Sequence, residues 1–276
     1  MRSATSRGLG WRVRADEMKS GITSKAGCLS STIRVMHFRM RSMDTVMSIS
    51  EYGIGAYTPA EAARLLHMQP VTLRRWLYGY DYDHDNESRE QPPLWKPQYD
   101  AEITGPLLGF RDLVEARIVH ALRKSRIGLP TIRLCIDRAK EMLGEEHPFS
   151  TRAFKSDGKR IFLEITKGVD EPRLIDLKDR QHVFRDFILP SLQGLEFGDE
   201  RAERWWLEPS RKSIVADPRR SFGQPIVHKN GMLTSRVVQE VKAEGSAERV
   251  AMLYDIPVSA IRDALAFETS LSRRVH

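Results

Sequence analysis

The stretch Tyr57–Tyr80, YTPAEAARLLHMQPVTLRRWLYGY, leaves the chain the least freedom. Thr58 is a good helix N-cap, Pro59 fits the first helical position, and Glu61 stands where a capping box needs an acid. Ala62, Leu65 and Leu66 then form one apolar face. His67-Met68-Gln69 reads as a tight turn, and Pro70 opens a second helix that continues through Val71, Leu73, Trp76 and Leu77 to a stop at Gly79. Two short helices joined by three or four residues predict a helix-turn-helix, with a plain αα-hairpin as the alternative.

The second helix of such a unit enters the DNA major groove by its N-terminal turn. Gln69, Val71, Thr72, Arg74 and Arg75 stand there, and Arg64 adds charge from the first helix. Arginine pairs bidentately with guanine, and Thr or Gln reaches bases or phosphates. Within the stretch Arg64, Arg74 and Arg75 outweigh Glu61, a local balance of +2. In the plain-hairpin alternative Arg74 and Arg75 are solvated surface.

These residues resemble the MerR-type winged helix-turn-helix family. The Tyr57-Thr58 start, the Ala-rich Glu61–Leu66 helix and Thr72-Leu73-Arg74-Arg75-Trp76 follow its pattern, and Phe110-Arg111-Asp112-Leu113 follows the family's start of a helical pair. Between them the family places a wing. Here residues 81–106 are acidic at first (Asp81, Asp83, Asp85, Glu87, Glu90) and then carry Pro92, Pro93 and Pro97, which suits phosphate contact poorly.

Downstream, Phe110, Leu113, Val114, Ile118, Ala121 and Leu122, and then Ile132, Cys135, Ile136, Ala139, Met142 and Leu143, predict two amphipathic helices, each with one core-facing side. Cys135 on the second stripe reads as a buried core thiol. Asp157-Gly158 between short extended runs predicts a β-hairpin over 152–166. A third strand is expected at Leu174–Leu177, and a helix from Arg180 to Leu189. Trp205-Trp206 is expected on a strand, split between core and surface.

Ile214-Val215 and Ile226-Val227 predict two short strands. Helices follow at about Thr234–Ala243, Ser246–Leu253 and Val258–Phe267, again with helix-turn-helix spacing. Asp217-Pro218, Gly223-x-Pro225, Gly231, Glu244-Gly245-Ser246, Tyr254, Ile261 and Ala264 make this segment resemble the small C-terminal domain of VapB-like antitoxins. The family's usual Gly-Thr-Arg triplet is Gly231-Met232-Leu233 here. From Thr234 to Glu268 four basic side chains face six acidic ones. That balance suits a protein-binding or dimer element better than a DNA reader.

Charge position also decides how the whole is read. Lys and Arg number 44 against 37 Asp and Glu, a net +7. Residues 1–46 hold nine basic and three acidic groups, so +6 lies there and +1 in the remaining 230 residues. Residues 1–46 show no sustained helical or strand periodicity. They read as a disordered or non-native extension ahead of a start at Met43 or Met47, with a basic nucleic-acid arm and an organelle transit peptide as alternatives. Two cysteines, Cys28 and Cys135, make neither a disulfide framework nor a Cys-based zinc site, and a cytoplasmic setting is the default. No run approaches the roughly 20 apolar residues of a membrane span. Asp81, Asp83, His84 and Asp85, and Glu145, Glu146 and His147, read as solvated loops. No metal, cofactor or catalytic site is expected, and the chain is not read as an enzyme.

The expected fold is mainly α with small β elements (α+β). Residues 47–106 are a helix-turn-helix with an atypical wing. Residues 107–195 are a helical pair with a small antiparallel sheet and a helix, and 196–276 an antitoxin-like domain with three helices. The resemblance implies a type II antitoxin that binds a PIN-like ribonuclease toxin and a double-stranded DNA operator, represses its own operon, and acts as a homodimer or toxin–antitoxin hetero-oligomer. The alternatives are a stand-alone regulator sensing a small molecule through the middle unit, and an assembly protein that reuses these folds without binding DNA.

Overall fold

The computed structural model describes residues 53–84 and 87–273, all within the unit Val46–His276. The expectations for residues 1–46 and Cys28 lie outside the described residues. Helices α1 (Pro59–Leu66) and α2 (Pro70–Tyr78) come first, then a two-stranded hairpin of β1 (Tyr80–His84) and β2 (Glu87–Gln91). After the short α3 (Ala101–Thr104) come α4 (Phe110–Lys124), α5 (Leu129–Leu143) and α6 (Arg152–Ile165). Next are α7 (Leu177–Val183), a π-helical turn over Phe184–Ile188, and the single turn α8 (Leu189–Ser191). Four short strands, β3 (Leu195–Phe197), β4 (Ala202–Trp206), β5 (Ile214–Ala216) and β6 (Ile226–Val227), pair antiparallel in chain order. Helices α9 (Thr234–Glu244), α10 (Ala247–Tyr254) and α11 (Val258–Arg273) close the described chain. The fold is mainly helical with small antiparallel sheets, about 56% helix among the described residues.

Helix α4 is the centre of the main core. It buries ten residues, so its whole circumference is covered, where the sequence stripe predicts one covered side. Two of the ten are acids, and both have partners. Asp112 accepts from the backbone N–H of Gly109 (2.8 Å) and Gln98 (3.0 Å), from Trp95 Nε1 (2.9 Å), and lies 2.8 Å from His147 Nε2. Glu115 accepts from the Ser150 N–H, and burial pushes its carboxyl up to about 8. These bonds sew the loop after β2 and the 147–150 turn onto α4. Cys135 is buried, and burial pushes its thiol up to about 12.

Three expectations for the middle and the sheet are corrected. The Asp157-Gly158 hairpin is α6. Thr151 caps it by accepting from the Phe154 N–H, and Phe154, Gly158, Ile161, Phe162 and Ile165 form a buried helical stripe. Asp157 is a kink within the helix (φ −115°, ψ 18°), not a hairpin corner. Leu174–Leu177 is no strand: Leu174 is buried in a turn while Ile175 points to solvent. The sheet expected in the middle forms from residue 195 onward instead. Trp205 and Trp206 are both buried. Neighbours on a strand face opposite sides, and here both sides are covered. Trp205 joins the main core, and Trp206 packs with Val215 and Ile226 while donating to Glu196 (2.6 Å).

The C-terminal helices have a second core of Ile214, Val227, Val237, Val250, Ile256, Ile261 and Ala264. Ser246 caps α10 by accepting from the Arg249 N–H. Helix α11 runs to Arg273, past the expected end at Phe267, and delivers Leu271 to the main core.

Candidate nucleic-acid interface

The capping box at α1 is complete: the Glu61 N–H donates to Thr58 Oγ1 (3.2 Å), and the Thr58 N–H donates to Glu61 Oε2 (2.8 Å). His67 ends α1 in the left-handed region (φ 54°), turning the chain within three residues into Pro70 and α2. Leu73, Trp76 and Leu77 then anchor α2 in the main core. The Trp76 carbonyl accepts from the Leu94 N–H (2.8 Å), so the loop after the hairpin is fastened to α2 as well.

That anchoring decides which side chains are presented. At 100° per residue, Val71 and Arg75 stand at the middle of the exposed face, with Thr72 and Arg74 on its two flanks. All four are exposed, as is Gln69, whose side chain makes no cap hydrogen bond. The Arg75 guanidinium sits over the Tyr80 ring, 4.9 Å from its centroid, which limits its rotamers from the side of β1. The five side chains thus lie on one turn-and-a-half of a rigidly held helix.

Arg64, expected beside them, is turned elsewhere. Its Nη2 donates to Glu268 Oε2 of α11 (2.6 Å), and Glu268 also accepts from the Thr234 hydroxyl. Tyr57, fully buried, donates its hydroxyl to the Gly223 carbonyl (2.8 Å). Gly223 has φ +83°, and any Cβ there would collide with the Tyr57 hydroxyl. Glu268, Thr234 and Gly223 therefore support α1 from 166 to 204 residues away. Only the glycine carried a local signal in the sequence.

The hairpin following α2 has the place of a wing, and its described strands carry Asp81, Asp83, Glu87 and Glu90 against Arg89. Such a strand pair repels a phosphate backbone, so α2 is the element suited to DNA. Among the described residues, no group of three or more His, Cys, Asp or Glu is placed to hold a metal ion. Glu145, Glu146 and His147 go separate ways, to Arg111, Lys140 and Asp112. No described helix is long and apolar enough to cross a membrane.

Residues 55–136 match a family described as "Putative DNA-binding HTH domain", a span that takes in α1 through the first half of α5. A curated protein of Mycobacterium tuberculosis (strain ATCC 25618 / H37Rv), "Putative antitoxin VapB45", is 26% identical over 225 residues, 78% of this chain and 94% of that protein. The chain resembles VapB-like antitoxins that carry a helix-turn-helix. A crystal structure of Rv2018 from Mycobacterium tuberculosis superposes with a TM-score of 0.59 at 23% identity, covering 78% of this chain and 99% of that one. That likeness is one of fold and includes the C-terminal half, beyond the reach of the helix-turn-helix match.

Proposed function

We propose that this protein is a DNA-binding antitoxin of a type II toxin–antitoxin system, acting in the cytoplasm by binding and not by catalysis. The observation that carries the reading is the exposed face of α2. Val71, Thr72, Arg74 and Arg75 point outward from a helix that Leu73, Trp76 and Leu77 hold fixed. The antitoxin relative, matched over nearly its whole length, supplies the rest of the reading. In it, Arg74 and Arg75 contact guanine edges or phosphates, helped by Thr72, Gln69 and Val71, in the manner of a winged MerR-like reader. Arg64 sets the position of α1 through Glu268. Two copies bind a two-fold symmetric operator with half-sites about one helical turn apart, and so repress the operon that encodes the protein.

The partner is a PIN-like ribonuclease toxin, and we assign it to the C-terminal helices. This module is acidic and leaves Met252 (78% exposed), Leu253 and Val238 in solvent. Exposed apolar side chains clustered on adjacent helices mark interaction surfaces.

The test is a gel shift with the DNA upstream of the protein's own gene. Each good Arg–guanine pair contributes about 1–3 kcal/mol. Replacing both (Arg74→Ala/Arg75→Ala) is therefore expected to weaken binding roughly 30-fold or more. Unchanged binding by a folded double variant would refute the choice of α2. Copurification with the product of the adjacent gene tests the toxin assignment separately.

A further inference from the structure

A cavity of about 360 Å³ lies between the end of α1, one face of α4 and the π-helical turn. That size falls within the range of small-ligand pockets. Arg117, His120 and Lys124 follow one another along α4 at helical spacing, so three nitrogen-bearing side chains share one wall. Arg117 is held in place from two sides. Its Nη2 donates to the Gln193 carbonyl (3.1 Å), and its guanidinium stacks 4.2 Å from the centroid of the Trp205 ring. Its Nη1, however, is buried with no hydrogen-bond partner, and the same is true of His120 Nε2. Buried nitrogens of this kind are rare in folded proteins, and each calls for an acceptor.

Asp186 lines the cavity but does not supply that acceptor. Its two oxygens are taken by Arg185 (2.7 and 3.1 Å) and by His182 (2.6 Å). The electrostatics agree with a missing anion. Burial pulls Arg117 down to about 10, and burial together with Lys124 and His67 pulls the His120 imidazole down to about 4. Leu65, Phe187 and Trp205 add apolar lining. Phe187 belongs to the π-helical turn, a distortion that recurs at functional sites.

We propose that this cavity binds a small organic anion, a carboxylate or phosphate on an apolar body. The anion's oxygens accept from Arg117 Nη1 and from His120 as its Nε2–H tautomer, Lys124 guards the entrance, and the apolar body lies on Phe187 and Trp205. The site touches the helix-turn-helix from its buried side: His67 of the turn lines it, and the His120 ring lies 6.5 Å from that of Trp76 on α2. It is a binding site whether or not α2 reads DNA.

Titration of the full chain with benzoate and with phenyl phosphate, followed by calorimetry and tryptophan fluorescence, tests this. Saturable one-to-one binding of at least one probe is expected, with none for benzyl alcohol, which has the ring without the anion. Preference between the two probes tells carboxylate from phosphate. Lys124→Gln and His120→Phe are expected to weaken binding about tenfold or more, and Lys159→Gln on α6 to leave it unchanged. Lys124 is exposed, so its variant keeps the test decisive if His120→Phe does not fold. No saturable binding by either probe overturns the proposal. So does equal binding by Lys124→Gln and the parent chain, and so does benzyl alcohol binding as well as the acids.

Discussion

The chain builds two modules of short helices joined by tight turns, and the two present opposite chemistry. In α1–α2 most apolar residues go inward to a large shared core, and the outer face of α2 sets Thr72, Arg74 and Arg75 around the exposed Val71. In α9–α11 a small private core leaves Val238, Met252 and Leu253 outside, on a surface where acidic and basic side chains alternate. Similar local geometry therefore presents different surfaces. What separates them is which side chains the surrounding structure leaves exposed: Leu73, Trp76 and Leu77 anchor α2 in the main core, and the rest of its surface faces solvent.

That contrast can be broken at its strongest point first. Trp76→Ala removes the main anchor of α2 and is expected to cost about 3–5 kcal/mol of stability in denaturant titration. DNA binding should disappear with it. The Arg74→Ala/Arg75→Ala variant is expected to lose about 2 kcal/mol of DNA affinity with no change in melting temperature, which would separate the face from its support. Glu268→Ala should cost about 1–2 kcal/mol. Most of that loss comes from the buried Thr234 hydroxyl, which keeps only its longer bond to the Pro225 carbonyl (3.4 Å), since Arg64 is half exposed. Smallest in stability is Met252→Ser/Leu253→Ser, within about 0.5 kcal/mol of the parent. This variant is nevertheless expected to lose capture of the adjacent gene product while keeping DNA binding. A pair of surface serines that weakened DNA and spared the protein partner would invert the division of labour.

Much of this contrast was legible in the residues themselves. The Thr58/Glu61 capping box, the Pro70 start and the Gly79 stop mark α1 and α2 locally, and Ser246 does the same for α10. These signals act within three or four residues, so no tertiary knowledge is needed to read them. Asp157-Gly158 misled for the same local reason. The pair favours a hairpin, but the stripe from Phe154 to Ile165 needed a helix to bury it against Phe184, and packing overrode the turn preference. The coverage of α4 on all sides, the burial of both Trp205 and Trp206, and the turning of Arg64 toward Glu268 all depend on elements distant in the chain. No periodicity announces them. Nor does any short motif announce the cavity, whose walls come from four separate segments.

The clasp of Tyr57 on Gly223 and of Arg64 on Glu268 bears on the order of events during synthesis. Helices α1 and α2 wait for contact partners made 166 to 204 residues later. Such loops close slowly, so a nascent chain shows its α1–α2 unit before that unit is seated. A cut in the short linker ahead of α11 would free the Arg64–Glu268 half of the clasp from the rest of the chain, while Gly223, on the earlier side of the cut, keeps its hold on Tyr57.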